Sequence, residues 1–193
     1  MRTPPGISHQ YIPEDLLAMP DGHYFDLVDG HLVERHRGAE SSWIAQQINR
    51  HLSNYVAVSQ GVLVLGPDCG YQIFPDDPNR VRFPDGSFIR RGRLPHDVPP
   101  RGHVRIVPDL LIEVVSPNDL AWEVEVKVTE YLRAGVPLLW VFYPDTCTVW
   151  IYRASGQVTH LSVEDTLSGE EVLPDFTCLV ADVFPGQHAP PGA

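Results

Sequence analysis

The stretch from Pro108 to Pro144, PDLLIEVVSPNDLAWEVEVKVTEYLRAGVPLLWVFYP, constrains the fold more than any other part of the chain. Residues 106–116 form a β-type run rich in branched apolar residues. Pro117 and Asn118-Asp119 break it and open a helix over about 120–134, which Gly135 and Pro137 stop. The apolar run 138–143 then reads as a buried strand. Strand, helix and strand in this order call for a sheet with a helix laid on its face.

The flanking segments extend that sheet. Residues 11–19 read as a short helix with Pro13 near its start. Residues 24–28 and 31–35 flank Asp29-Gly30, a hairpin turn signal. A second helix is expected from Ser41 or Ser42 to about Val58, with Trp43, Ile44, Ile48, Leu52, Tyr55 and Val56 at helical spacing. β-type runs follow at 62–65 leading to 71–74, then 81–90. After 138–143 come a turn at Pro144-Asp145, a strand at 148–153, a turn at Gly156, and a strand with a short closing element within LPDFTCLVADVF. The expected class is α/β or α+β, a mixed sheet flanked by helices. With 193 residues and 43% hydrophobic content, the expectation is one domain over 11–184, a tail at 1–10, and a disordered tail at 185–193.

Several function classes are disfavoured. The N-terminus MRTPPGISHQ has no apolar core behind Arg2, so no secretory signal is expected. The longest apolar run, about 136–143, is too short for a membrane span. A cytoplasmic protein with no membrane partner is therefore expected. The three cysteines, Cys69, Cys147 and Cys178, show no CxxC or Cys/His spacing, and three reduced thiols are expected rather than a zinc site. Ser116 and Cys147 sit in no nucleophile motif, and no Gly-rich phosphate loop is present.

The net charge of -11 argues against a polyanionic partner, but its distribution does not. Segment 80–105 holds seven arginines against Asp85 and Asp97, a local +5 on an acidic body. Such a strip, with Arg90, Arg91 and Arg93 at its centre, can hold a phosphate backbone or be a solvated loop. Of the fourteen basic residues only Lys127 is a lysine. Arginine and lysine differ in shape, hydration and capacity to release a proton.

Acids inside apolar strands are the chemical candidates. Glu113 is enclosed by Leu110, Leu111, Ile112, Val114 and Val115, where a carboxylate needs a metal or a cationic partner. Asp85 follows Pro84 at an edge or bulge position in its strand. Asp109 lies four residues before Glu113 on the same strand face, although a turn role after Pro108 is equally natural. Carboxylates on neighbouring strands make a hard-oxygen site suited to Mg²⁺ or Mn²⁺. Lys127 shares a helix face with Glu123 and Tyr131. It either pairs with Glu123 at the surface or points over the sheet towards the carboxylates.

These blocks, with FDLVDGHLVE and VRFPDGSFI before them, resemble the Uma family of restriction endonucleases, a branch of the PD-(D/E)XK nuclease superfamily, over about residues 11–184. The resemblance implies a restriction-endonuclease-like fold and metal-dependent hydrolysis of DNA phosphodiester bonds, often by a homodimer. It implies that Asp85 and Glu113 bind the metal and that Lys127 acts from the helix, since Val115 holds the usual strand-lysine position. It adds Glu34 as an acid of the early hairpin. Ser41 stands where relatives commonly carry histidine, and Tyr143 where many carry aspartate. The alternative is a nuclease fold that has lost cleavage and serves as a DNA-binding or assembly module.

Overall fold

The computed structural model describes residues 10–59 and 62–186. Most of both expected tails, 1–9 and 187–193, lies outside them. In chain order the elements are α1 (Pro13–Ala18), β1 (Phe25–Val28), β2 (His31–Glu34), α2 (Ala39–Ser59), β3 (Val62–Leu65), β4 (Gly86–Arg90), β5 (Leu110–Val114), α3 (Ala121–Arg133), β6 (Leu138–Tyr143), β7 (Thr148–Arg153), β8 (Val158–Leu161), β9 (Thr166–Ser168) and β10 (Thr177–Leu179). No helix of the described residues is long and apolar enough to cross a membrane.

The main sheet has six strands in the order β3-β4-β5-β6-β7-β8. Only β5 and β6 run parallel; the other neighbours are antiparallel. The parallel pair is the one joined through α3, as a crossover requires. The class is thus mixed α and β, with helices on both faces of a mixed sheet.

Side-chain alternation along β5 divides the molecule. Leu110, Ile112 and Val114 join Phe88, Trp140 and Phe142 under α2, whose Ile44, Ile48 and Leu52 are fully buried there with Phe176, Val180 and Phe184 of the C-terminal segment. Leu111 faces the other way, with Ile89, Leu139 and Val141, under Val124, Val128 and Tyr131 of α3. Each such aliphatic side chain contributes about 1.5–3 kcal/mol on burial. Glu113 shares the parity of Leu111, so the period of two aims it at α3.

The hairpin β1–β2 turns on Asp29 (φ 49°) and Gly30 (φ 78°), the left-handed pair that a two-residue turn of matching twist demands. The expected strand 81–90 divides at Pro84. Val81 bridges to Leu27 and Arg82 to Tyr71, while Gly86–Arg90 enters the main sheet. A residue without an N–H cannot continue both ladders. Residues 71–74 likewise give only the Tyr71 bridges, and Pro108 shortens the 106–116 run. Helix α2 begins earlier than expected, and Ser41 lies in its first turn, where Gly38 N–H donates to Ser41 Oγ at 3.1 Å. Strands β8 and β9 were not expected.

Candidate active site

The β4–β5 register pairs Gly86 with Ile112, so one more step sets Asp85 opposite Glu113. The Asp85 N–H donates to Ile112 O at 2.9 Å, and the Val114 N–H donates to Asp85 Oδ2 at 2.7 Å. The acid is therefore fixed by the strand that carries Glu113. From α2, Asn49 Nδ2 donates to Asp85 O at 2.9 Å. That approach needs Gly86, because a Cβ there would sit 2.5 Å from Asn49 Oδ1.

Helix α3 supplies the partners of Glu113. The Tyr131 hydroxyl donates to Glu113 Oε1 at 2.7 Å, and Lys127 Nζ lies 3.4 Å from Oε2. Residues 127 and 131 are one turn apart and reach the same carboxylate. Lys127 also lies 3.9 Å from Asp26 Oδ2. Glu123 is not its partner; that carboxylate accepts from the Leu120 N–H at 3.2 Å.

Sequence reasoning missed Asp26. It is buried on β1, accepts from the Phe83 N–H at 3.1 Å and pairs with Arg82 at 2.9 Å. Arg82 reaches Glu130 of α3 at 2.8 Å. Arg35 lies 3.9 Å from both Asp26 and Asp85 while donating to the carbonyls of His23 and Pro67. The signal for Asp26 was available: it is an acid inside FDLV, the same anomaly that singled out Glu113. Tyr131 was noted only as sharing a helix face with Lys127.

The electrostatics follow from this crowding. Burial and the adjacent Glu113 push the Asp85 carboxyl up to about 7, against the Val114 N–H, Arg35 and Lys127. For Lys127, burial opposes the charge, but Glu113, Asp26 and Asp85 outweigh it and hold the ammonium above its ordinary range. Burial and Glu113 likewise keep the Tyr131 hydroxyl protonated. In the metal-free protein the acids thus hold Lys127 as a cation and donor. Asp85 and Glu113 offer hard oxygens, and burial of neighbouring negative charge favours exchange of a proton for a divalent cation, so the donor set fits Mg²⁺ or Mn²⁺.

Two clefts flank the cluster and share His36. One, of about 340 Å³, is lined by Asp85, His36, Arg37, Ser41, Asn49 and Ser116. The other, of about 290 Å³, is lined by Lys127, Glu34, Arg35, His36, Trp122 and Glu123. Glu34 is thereby placed at the rim, exposed, and not bonded to the central acids. In the second cleft, His36, Asp119 and Glu123 bring ligand-type atoms within 4.8 Å of one another.

Other expected site residues are not brought together. Asp109 lies four residues from Glu113, roughly 13 Å along an extended strand. It accepts from the Arg90 N–H at 2.9 Å and pairs with Arg93 at 2.8 Å. Distance and arginine partners separate Asp109 from the cluster. The arginine strip is also altered. Arg90 donates to the carbonyls of Glu171 and Val172, and Arg91 faces Asp97 at 3.8 Å. Arg80 is buried among Asp29, Asp76, Asp77 and Glu130. Local sequence counts miss these partners because most come from distant segments.

A family model described as Uma2, "Putative restriction endonuclease", matches residues 13–181. No curated protein matches the chain. Among solved structures, a "putative nuclease belonging to DUF820" from Anabaena variabilis ATCC 29413 superposes with a TM-score of 0.73 at 18% identity, covering 90% of this chain and 97% of that one. At that identity the likeness speaks for the fold.

Proposed function

The chain belongs to the Uma2 family, and we propose that it is a divalent-metal-dependent endonuclease that hydrolyses DNA phosphodiester bonds at Asp85, Glu113 and Lys127. Family and fold together indicate a restriction-endonuclease-like nuclease. The observation that carries the finer reading is the convergence of Lys127 and Tyr131 on Glu113, with Asp85 fixed opposite on the adjacent strand.

In this reading Asp85 and Glu113 hold Mg²⁺ or Mn²⁺, which would supply Lewis acidity and a more acidic water. Tyr131 fixes Glu113 through Oε1 and leaves Oε2 towards Lys127. Asp26, itself braced by Arg82, keeps the ammonium near the acids. A charged Lys127 orients the attacking oxygen and stabilises negative charge developing on the phosphate.

The phosphate backbone would enter the cleft beside Asp85. Arg37 lines that cleft, a third exposed, stacked 4.8 Å over Tyr24 and 3.7 Å from Asp68. Arg90 ends β4, with Arg91 and Arg93 just beyond it, and all three contribute less than their sequence density suggests. Cutting both strands with one such site per chain favours a homodimer as the working form.

Plasmid cleavage with Mg²⁺ or Mn²⁺, set against Glu113→Ala, tests the proposal. Metal-dependent cleavage lost in the variant supports it. DNA binding without cleavage in either protein favours the non-cleaving module, a reading to which the acid-paired arginines and the charge of -11 lend weight.

A further inference from the structure

A second cluster lies on the opposite side of the sheet from Lys127, where α2 meets the C-terminal segment. His51 comes from α2, Cys178 from β10, and Asp182 from the short turn of helix after it. One ligand-type atom from each lies within 4.8 Å of the other two. Tetrahedral bonds of 2.0–2.3 Å place ligands about 3.3–3.8 Å apart, so a small contraction completes the set.

A second observation points the same way. The Nε2 of His51 is buried and has no hydrogen-bond partner among the described residues. Buried ring nitrogens are normally satisfied. This one sits in a side chain that already faces a thiol and a carboxylate.

We propose that His51, Cys178 and Asp182 form a structural zinc site that ties helix α2 to the C-terminal segment. Imidazole and thiolate suit zinc and disfavour Mg²⁺, and a carboxylate is an accepted third ligand. On binding, the Cys178 thiol gives up its proton to solvent and loses its weak bond to Leu179 O, 3.3 Å away. Thiolate and carboxylate then balance the ion's charge, and water takes the fourth position. The spacing rule that argued against zinc sees only ligands close in sequence. Here residues 51 and 178 are joined by the packing of α2 over Trp140 and Phe176.

The full chain, stripped with a chelator and passed through gel filtration after zinc loading, should retain one zinc per chain and gain thermal stability. Cys178→Ser and His51→Gln should retain none, while Asp85→Asn and Glu113→Gln should still retain it. Cobalt in place of zinc gives a readout with all three ligand side chains unchanged. A chain with Cys69 and Cys147 changed to serine should show thiolate-to-cobalt charge-transfer absorption from Cys178. No retained zinc in the parent, equal retention in a folded Cys178→Ser, or no such absorption overturns the site.

Discussion

The Tyr131 hydroxyl donates to Glu113 Oε1 at 2.7 Å in the buried space between α3 and β5. It removes one of two carboxylate oxygens from competition and leaves the other facing Lys127. Tyr131→Phe conserves the ring packed against Phe74 but orphans that oxygen. A buried acceptor that loses its partner costs about 1–3 kcal/mol. We expect a stability loss of that size in urea denaturation, with reduced cleavage. Unchanged stability would mean that water replaces the hydroxyl.

Gly86 and Asn49 form a second dependence. Gly86→Ala would set a methyl 2.5 Å from Asn49 Oδ1, forcing the amide away from Asp85 O. Asn49→Ala should cost about 1 kcal/mol through the lost hydrogen bond. Adding Gly86→Ala to Asn49→Ala should then cost clearly less than Gly86→Ala alone. A double-mutant cycle measures this, and additive losses would deny the contact.

Strands β5 and β6 and the helix α3 between them were legible because their signals are local. The run 138–143 and the helix between Pro117 and Gly135 carry their own boundaries. Glu113 and Lys127 were legible as chemical anomalies, a carboxylate among aliphatics and a lone lysine. Asp26 carried the same kind of anomaly inside FDLV, but its partners Arg82 and Lys127, 56 and 101 positions away in the numbering, do not show along the chain. The arginine strip misled for the same reason. A charge count along the chain cannot see Asp109 closing on Arg93, or Glu171 offering its carbonyl to Arg90.

The Asp85 carboxyl, raised to about 7 chiefly by burial and Glu113, links stability to pH in the metal-free protein. The unfolded chain releases this proton near pH 4, whereas the folded chain keeps it to about pH 7. The folded state binds the extra proton in that window, so this group lowers stability as pH rises through it. Relative to Asp85→Asn, the parent should lose roughly 2–4 kcal/mol between pH 4 and 7 in chelator. Solvent reaches a quarter of the side chain, which favours the lower part of that range. Saturating Mg²⁺ should flatten the difference. Parallel pH profiles for parent and variant would show that Asp85 ionises freely.

Lys127 is the strictest test of the chemistry. Its ammonium stands 3.4 Å from Glu113 and 3.9 Å from Asp26, with the acids holding it charged. Lys127→Arg keeps that charge, so the acids remain compensated and the protein should fold with near-parent stability. The guanidinium is larger, planar and able to take both oxygens of one carboxylate. It would compete with Tyr131 for Glu113 and place its donors away from the point the ammonium serves. Removing one well-placed donor to developing oxyanion charge typically costs about 10²–10³ in rate. Single-turnover cleavage with Mg²⁺ should fall by about that factor, while DNA binding, which depends on net charge near the cleft, should hold within about twofold. An arginine variant that cuts at the parent rate would show that only the charge at 127 matters and that the single lysine has no chemistry of its own.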